Sequence, residues 1–146
     1  MDRLKINDIE PSAMTTLLKL EQYLTDTSIP KNHKELIKIR ASQINGCAYC
    51  TNMHLQDARK AGETEARLGL ICVWKEAGNV FTEEERLLLG ITEEITLIHR
   101  NGLSDYLYEK SVKTFGEKRT AEIIMNVIII NAWNRLAISL QTKPTV

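Results

Sequence analysis

The chain has 146 residues, 43% of them hydrophobic, which is enough for one domain to bury a core without disulfide staples. Nineteen Lys and Arg balance nineteen Asp and Glu, so no basic field marks it for nucleic acid or a membrane surface. No segment reads as a membrane span, Met1 to Lys5 lack a signal-like apolar run, and three cysteines fit a reducing compartment better than a secreted framework. The expectation is one cytoplasmic domain over residues 1–146.

Helix signals follow one another with little interruption. Ser12 is placed to cap a first helix carrying Leu17, Leu18, Leu20 and Leu24, which ends before Ser28 and Pro30. A second runs from about Lys31, through Leu36, Ile37 and Ile39, to Asn45-Gly46. A third begins at the cysteines and stops at Gly62, and Thr64 opens a fourth through Trp74. Thr82 and Glu85 have capping-box spacing before Leu87, Leu88, Ile91 and Ile95. Ser104 starts a short sixth helix that ends at Gly116. The last segment, about Arg119 to Leu140, holds the β-branched run Val127 to Ile130, yet twenty residues without Gly or Pro is too long for a strand. Its apolar residues fall on nearly every face, which predicts burial in a core or between subunits. The fold class expected is all-α, about seven helices, with a long buried C-terminal helix and an oligomeric assembly.

One segment carries chemistry: Cys47-Ala48-Tyr49-Cys50-Thr51-Asn52-Met53-His54. On a helix, positions i, i+3 and i+7 share a face, so both thiols and the imidazole can meet around one small volume. Haem attachment would need His at Thr51, and a thioredoxin-type site would need strands that the sequence does not offer. A zinc site would need a fourth ligand from Cys72, His33 or His99, and Cys72 sits among Leu68, Leu70, Ile71 and Val73 as a core residue. A catalytic dithiol is the favoured reading.

Magnitudes show why His54 matters to it. A thiol near pKa 8.5 is only about 3% thiolate at pH 7. Lowering that pKa by about two units raises the thiolate roughly 25-fold, but a Brønsted slope of about 0.45 takes back roughly 8-fold in nucleophilicity. Ionising sulfur is therefore not enough. If the substrate is a peroxide, the departing oxygen needs a proton, and a positioned general acid supplies about 10²–10⁴. His54, four residues from Cys50, has suitable spacing. Its other ring nitrogen needs a fixed partner, and spacing leaves Asp57 and Glu35 both open.

The segment Glu35 to Ile44, continuing through Asn45-Gly46-Cys47-Ala48-Tyr49-Cys50 to His54 and Ala58-Arg59-Lys60-Ala61-Gly62, resembles the alkylhydroperoxidase AhpD core of the carboxymuconolactone decarboxylase-like superfamily. A Glu twelve residues before Cys-x-x-Cys-x-x-x-His is the specific part of the match. Weaker echoes are Trp74-Lys75-Glu76-Ala77, the helix from Glu84 to Glu93, and Asn131-Ala132-Trp133-Asn134-Arg135. The resemblance implies a helical trimer or hexamer with antioxidant thiol peroxidase activity. It implies that Cys50 attacks the peroxide and becomes a sulfenic acid, that Cys47 captures it as a disulfide, and that His54 and Glu35 relay protons. It also implies a small hydroperoxide substrate and an external dithiol reductant of lipoyl or thioredoxin-like type, with no metal or organic cofactor. The best-known members are longer, carry His where this chain has Tyr49, and are reduced by a lipoyl-bearing partner.

The remaining candidates have plainer readings. Ser42 either lines the site or allows close helix packing, Tyr49 covers the cysteines or touches substrate, and His33 and His99 are helix-end residues. Arg40 and Arg135 are expected to be paired structural charges, and Trp74 and Trp133 core or interface aromatics. Two rival functions stand beside the peroxidase: a non-enzymatic zinc-binding or structural helical oligomer, and a decarboxylase-like enzyme whose cysteines are incidental.

Overall fold

The computed structural model describes residues 3–145, so the first two residues and the last of the expected 1–146 domain lie outside it. Its α-helices are α1 (Ile6–Ile9), α2 (Pro11–Thr25), α3 (Lys31–Asn45), α4 (Ala48–Lys60), α5 (Glu65–Leu70), α6 (Glu83–Thr96) and α7 (Asp105–Ser139), with short 3₁₀ turns between α5 and α6 and after α6. No strand occurs among the described residues. The all-α expectation therefore holds, and seven helices are found, although not the same seven. A short α1 precedes the first expected helix, and the expected sixth and seventh are one element with a break at Gly116. That residue has φ 79° and ψ 164°, a conformation in which a side chain would be strained.

Helix α3 organises the molecule because it is apolar on two sides. Ile37 and Ala41 join Leu88 and Ile91 of α6 and Ile123, Val127 and Ile130 of α7 in one buried cluster. Leu36 and Ile39 join Ala58, Leu68, Ile71, Trp74 and Leu89 in a second. Burying a side chain of this kind contributes about 1.5–3 kcal/mol, so the two clusters fix α3 from both sides. A third, small cluster holds Cys47, Cys50 and Ala137, with Tyr49 packed over it.

Several local expectations are corrected. Ser12 does not cap α2. Pro11 occupies the first helical position, where its missing N–H costs nothing, and Glu10 precedes it as the cap residue. The helix opened by Thr64 stops at Leu70 rather than Trp74. A 3₁₀ turn follows, broken at Val73 (φ −123°, ψ 27°). Carbonyls in that turn accept from arginines, with Arg86 bonding Trp74 O at 3.2 Å and Arg40 bonding Cys72 O at 3.4 Å. The turn also carries Cys72 to the surface, so it is an exposed free thiol and not the core residue expected. Thr82 and Glu85 do form a capping box.

Helix α7 is long and apolar enough to cross a membrane, with a mean hydropathy of 1.3 over 18 residues, contrary to the expectation that no segment approaches a span. Its placement explains the composition: 44% of that window is buried within the fold, where it packs on α3 and α6. It also buries Glu122, Asn131 and Asn134, which bond to Ser28, Thr96 and Ser42 within the fold, as a core helix with internal partners can. Burial is not complete on every face, since Ile128 is 47% exposed.

Arg40 pairs with Glu93 of the same chain at 2.8 Å, and the same carboxylate takes bonds from Lys75 and Trp74 at 2.7 Å each. Burial alone would push the Glu93 carboxyl up, but the bonds from Lys75, Trp74 and Arg40 outweigh it and hold it below its ordinary value.

At the end of α3, Gly46 turns left-handed (φ 70°, ψ 28°) and lets Cys47 N–H bond back to Ser42 O at 2.9 Å. This turn delivers Cys47 to the cap position of α4. Gly46→Ala is expected to destabilise the protein by about 1–2 kcal/mol, because a Cβ is strained in that conformation although nothing crowds it. A thermal melt of the variant at the parent's midpoint or above would contradict this account of the turn.

Candidate active site

The cysteines are set by the start of α4. Cys47 is its N-cap, and its sulfur accepts the N–H of Cys50 at 3.3 Å. Cys50 stands three residues further on, in the first turn, where unpaired N–H groups and the helix dipole favour negative charge. The two are joined as a disulfide with Cα atoms 5.4 Å apart. One turn beyond Cys50, His54 is 6% exposed. Its Nδ1 lies 3.0 Å from Glu35 Oε2 of α3. Glu35 is itself only 8% exposed, so this pair is largely withdrawn from water.

Cys50, His54 and Glu35 open onto one cavity of about 610 Å³. That volume lies in the range of ordinary small-molecule sites. Most of its wall is apolar, from Met53 on α4, Ile130, Trp133 and Leu136 on α7, and Met14 on α2. Tyr49 contributes to the same wall. Asp57 also faces the cavity, and its carboxylate, the Glu35 carboxylate and the His54 ring lie within 4.8 Å of one another. Glu35 accepts the hydrogen bond from His54 Nδ1–H, while Asp57 pairs with Lys60 at 3.5 Å.

Sequence reasoning missed two features of this site. The first is Lys38, buried one turn after Glu35 and bonded to Glu21 of α2, whose other oxygen accepts from Trp133 Nε1 at 3.1 Å. These three tie α2, α3 and α7 together around the cavity. The second is a polar ladder beneath the motif. Asn45 donates to Asn131 at 3.0 Å and to Asn134 at 2.8 Å, Asn134 donates to Ser42 at 3.0 Å, and Asn131 donates to Thr96 at 3.1 Å. It anchors the last turn of α3, and so the start of the cysteine segment, to α7. Ser42 thus belongs to this ladder and does not line the cavity. The only signal for it in sequence is the placement of Asn131 and Asn134 in an otherwise apolar helix.

Other candidates lie elsewhere. His33 is part-buried near the start of α3, where burial lowers its pKa against the upward pull of Glu85 and Glu84. His99 is in the exposed 3₁₀ turn after α6. Arg135 bonds Asn131 O at 3.1 Å and Oδ1 at 2.9 Å, rather than a carboxylate. None of the fourth ligands considered for zinc is gathered at the cysteines. Among the described residues the group of potential metal ligands is Glu35, His54 and Asp57, without a thiol.

Chemically, the arrangement holds a disulfide-bonded sulfur at a helix N-terminus, an imidazole one turn away, and a carboxylate that fixes the ring. The carboxylate on Nδ1 leaves Nε2 as the free nitrogen for proton transfer.

Comparison with known proteins places this geometry in context. The model of the carboxymuconolactone decarboxylase family matches residues 11–94, which include α2, α3 and α4. The uncharacterised protein YdfG of Bacillus subtilis (strain 168) is 38% identical over 141 residues, 97% of this chain and 95% of its own. A protein of unknown function from Agrobacterium tumefaciens, provisionally assigned to antioxidant defence as AhpD, superposes with a TM-score of 0.94 at 34% identity, covering 100% of this chain and 99% of its own. The debrominase Bmp8 in its apo form shares the fold, with a TM-score of 0.83 at 16% identity over 95% of this chain and 74% of its own.

Proposed function

The chain belongs to the carboxymuconolactone decarboxylase family, and from that premise and the geometry of its cavity we propose that it is an AhpD-like thiol peroxidase acting on organic hydroperoxides. One observation carries the reading: Cys50 faces the same apolar cavity as His54, and Glu35 holds the His54 ring at 3.0 Å. In the reduced protein, Cys50 thiolate attacks the terminal peroxide oxygen, the O–O bond breaks, and the departing alkoxide takes a proton from His54. Cys50 is left as a sulfenic acid. The Cys47 thiol then displaces its oxygen as water and closes the disulfide. An external dithiol, of lipoyl or thioredoxin-like type, returns the pair to the reduced state. No step needs a metal or organic cofactor.

The apolar wall favours a hydroperoxide with a hydrocarbon body, whose burial contributes about 25 cal/mol per Å². Assembly into a trimer or hexamer is part of the proposal. Ile128 and Ile138, both on α7 and both exposed in the single chain, are surfaces that assembly would cover.

The test is to add one equivalent of cumene hydroperoxide to reduced protein and map the products by mass spectrometry. A Cys47–Cys50 link formed within the mixing time, with cumyl alcohol released, is the expected result. A dithiol that survives the treatment would overturn the reading.

A further inference from the structure

We propose that oxidant and reductant reach the cysteine pair from opposite sides, the peroxide meeting reduced Cys50 and the external dithiol attacking Cys47 of the disulfide through a cavity of its own. The inference rests on reading the cysteine pair as a dithiol–disulfide cycle. Cys50 lines the 610 Å³ cavity together with His54, and Cys47 is not part of that wall. Cys47 instead lines a second cavity of about 310 Å³, where Gly46, Ala48, Ile138, Gln141 and Lys143 surround it and Cys50 is absent. Ala137 and Thr142 line both cavities and so lie between them.

Each sulfur is almost wholly buried, and Cys47 and Cys50 are both 2% exposed. Thiol–disulfide exchange proceeds by thiolate attack on one sulfur with departure of the other, along the S–S axis. Attack on Cys50 must therefore pass through the peroxide cavity, and attack on Cys47 through the smaller one. The leaving group decides between them. Attack on Cys47 expels Cys50 as a thiolate beside His54, which can protonate it, while the Glu35 carboxylate steadies the ring. Attack on Cys50 would expel Cys47, whose sulfur has the Cys50 N–H but no imidazole on its own cavity. A sulfur that leaves readily directs the nucleophile to its partner. Lys143 at the smaller cavity adds positive charge where an anionic thiolate approaches.

The step balances. A dithiol loses one proton to solvent, its thiolate bonds to Cys47 Sγ, the S–S bond breaks, and Cys50 takes a proton from His54. The dithiol's second sulfur then attacks its own sulfur in the mixed disulfide. This closes a ring disulfide on the reductant and returns Cys47 as a thiol. Two electrons pass from the reductant to the protein, and the proton released to solvent restores His54. A bulky alcohol product still seated in the larger cavity does not obstruct this route.

The experiment starts from protein oxidised to the disulfide with diamide, so that no peroxide is involved. It is then treated with the monothiol 2-mercaptoethanesulfonate in the presence of iodoacetamide, and adducts are assigned by fragment mass spectrometry. The thiol adduct is expected on Cys47 with the alkyl group on Cys50, at least tenfold over the reverse arrangement. Equal labelling, or adducts chiefly on Cys50, would overturn the proposal. In a second measurement, saturating cumyl alcohol is expected to slow oxidation of the reduced protein by cumene hydroperoxide and to change reduction of the disulfide by dithiothreitol less than twofold. Slowing of both by the same factor would refute separate entry. Failure of the peroxide titration described above would sink the peroxidase reading alone, because neither adduct mapping nor disulfide reduction requires peroxide turnover.

Discussion

Replacing Cys50 with serine is expected to lower hydroperoxide consumption by about a thousandfold or more, whereas Cys47→Ser should retain one fast turnover and then stop. The asymmetry follows from the two cavities. Cys50 is the sulfur that faces the large apolar cavity with His54, so in the proposed cycle its loss removes the nucleophile and leaves a hydroxyl, which attacks a peroxide oxygen far less readily than a thiolate. Cys47 lines the cavity on the other side of Ala137 and Thr142, and in the proposed cycle it would take part only after the peroxide bond is broken. Without it, Cys50 sulfenic acid has no thiol within reach and should accumulate. A dimedone-type probe added after one equivalent of hydroperoxide would label Cys50 in Cys47→Ser, and the parent only weakly. If Cys50→Ser consumed hydroperoxide at the parent rate, the cysteines would be incidental and a decarboxylase-like or other reaction would fit the cavity better.

The sequence was most informative where local chemistry alone decides. Lys31 to Asn45 could be bounded because Pro30 stands before the helix and Gly46 supplies the left-handed residue after it. The Thr82–Glu85 box could be located because both partners lie within one turn. Errors arose where a neighbour in space overrode local preference. Cys72 has apolar neighbours in sequence, yet the chain leaves helical geometry at Val73, and Arg40 and Arg86 accommodate the released carbonyls. No spacing rule anticipates a pair of arginines from α3 and α6.

The site divides in the same way. Cys47, Cys50 and His54 lie within eight residues and share one helix terminus, so their proximity follows from the pitch of α4. Glu35 comes from the preceding helix, and spacing alone does not separate it from Asp57, whereas the family motif does. In the structure both carboxylates are near His54, and it is Glu35 that forms the hydrogen bond. Lys38, Glu21 and Trp133 come from three helices and span 112 positions, so nothing in the linear chain connects them. The Asn45–Asn134–Ser42 ladder is similar, for a polar residue in an apolar stretch of helix does not say which residues it will meet.

His54→Ala should slow formation of the Cys50 sulfenic acid by about 10²–10⁴, the usual contribution of a positioned general acid. Glu35→Gln should cost less, about 10–100-fold, since the amide oxygen can still accept from Nδ1–H but carries no charge to stabilise the imidazolium. Because Glu35 is argued to act through His54, the two losses should not add. The double variant His54→Ala/Glu35→Gln should be no slower than His54→Ala alone, within about threefold. Additive losses would mean that Glu35 touches the reacting atoms directly. Asp57→Asn provides the control, because Asp57 lies in the same cluster but makes its ion pair with Lys60 at 3.5 Å. Its effect should be smaller than that of Glu35→Gln. If the order were reversed, the proton would travel by Asp57, and the 3.0 Å bond to Glu35 would serve only to hold α3 against α4.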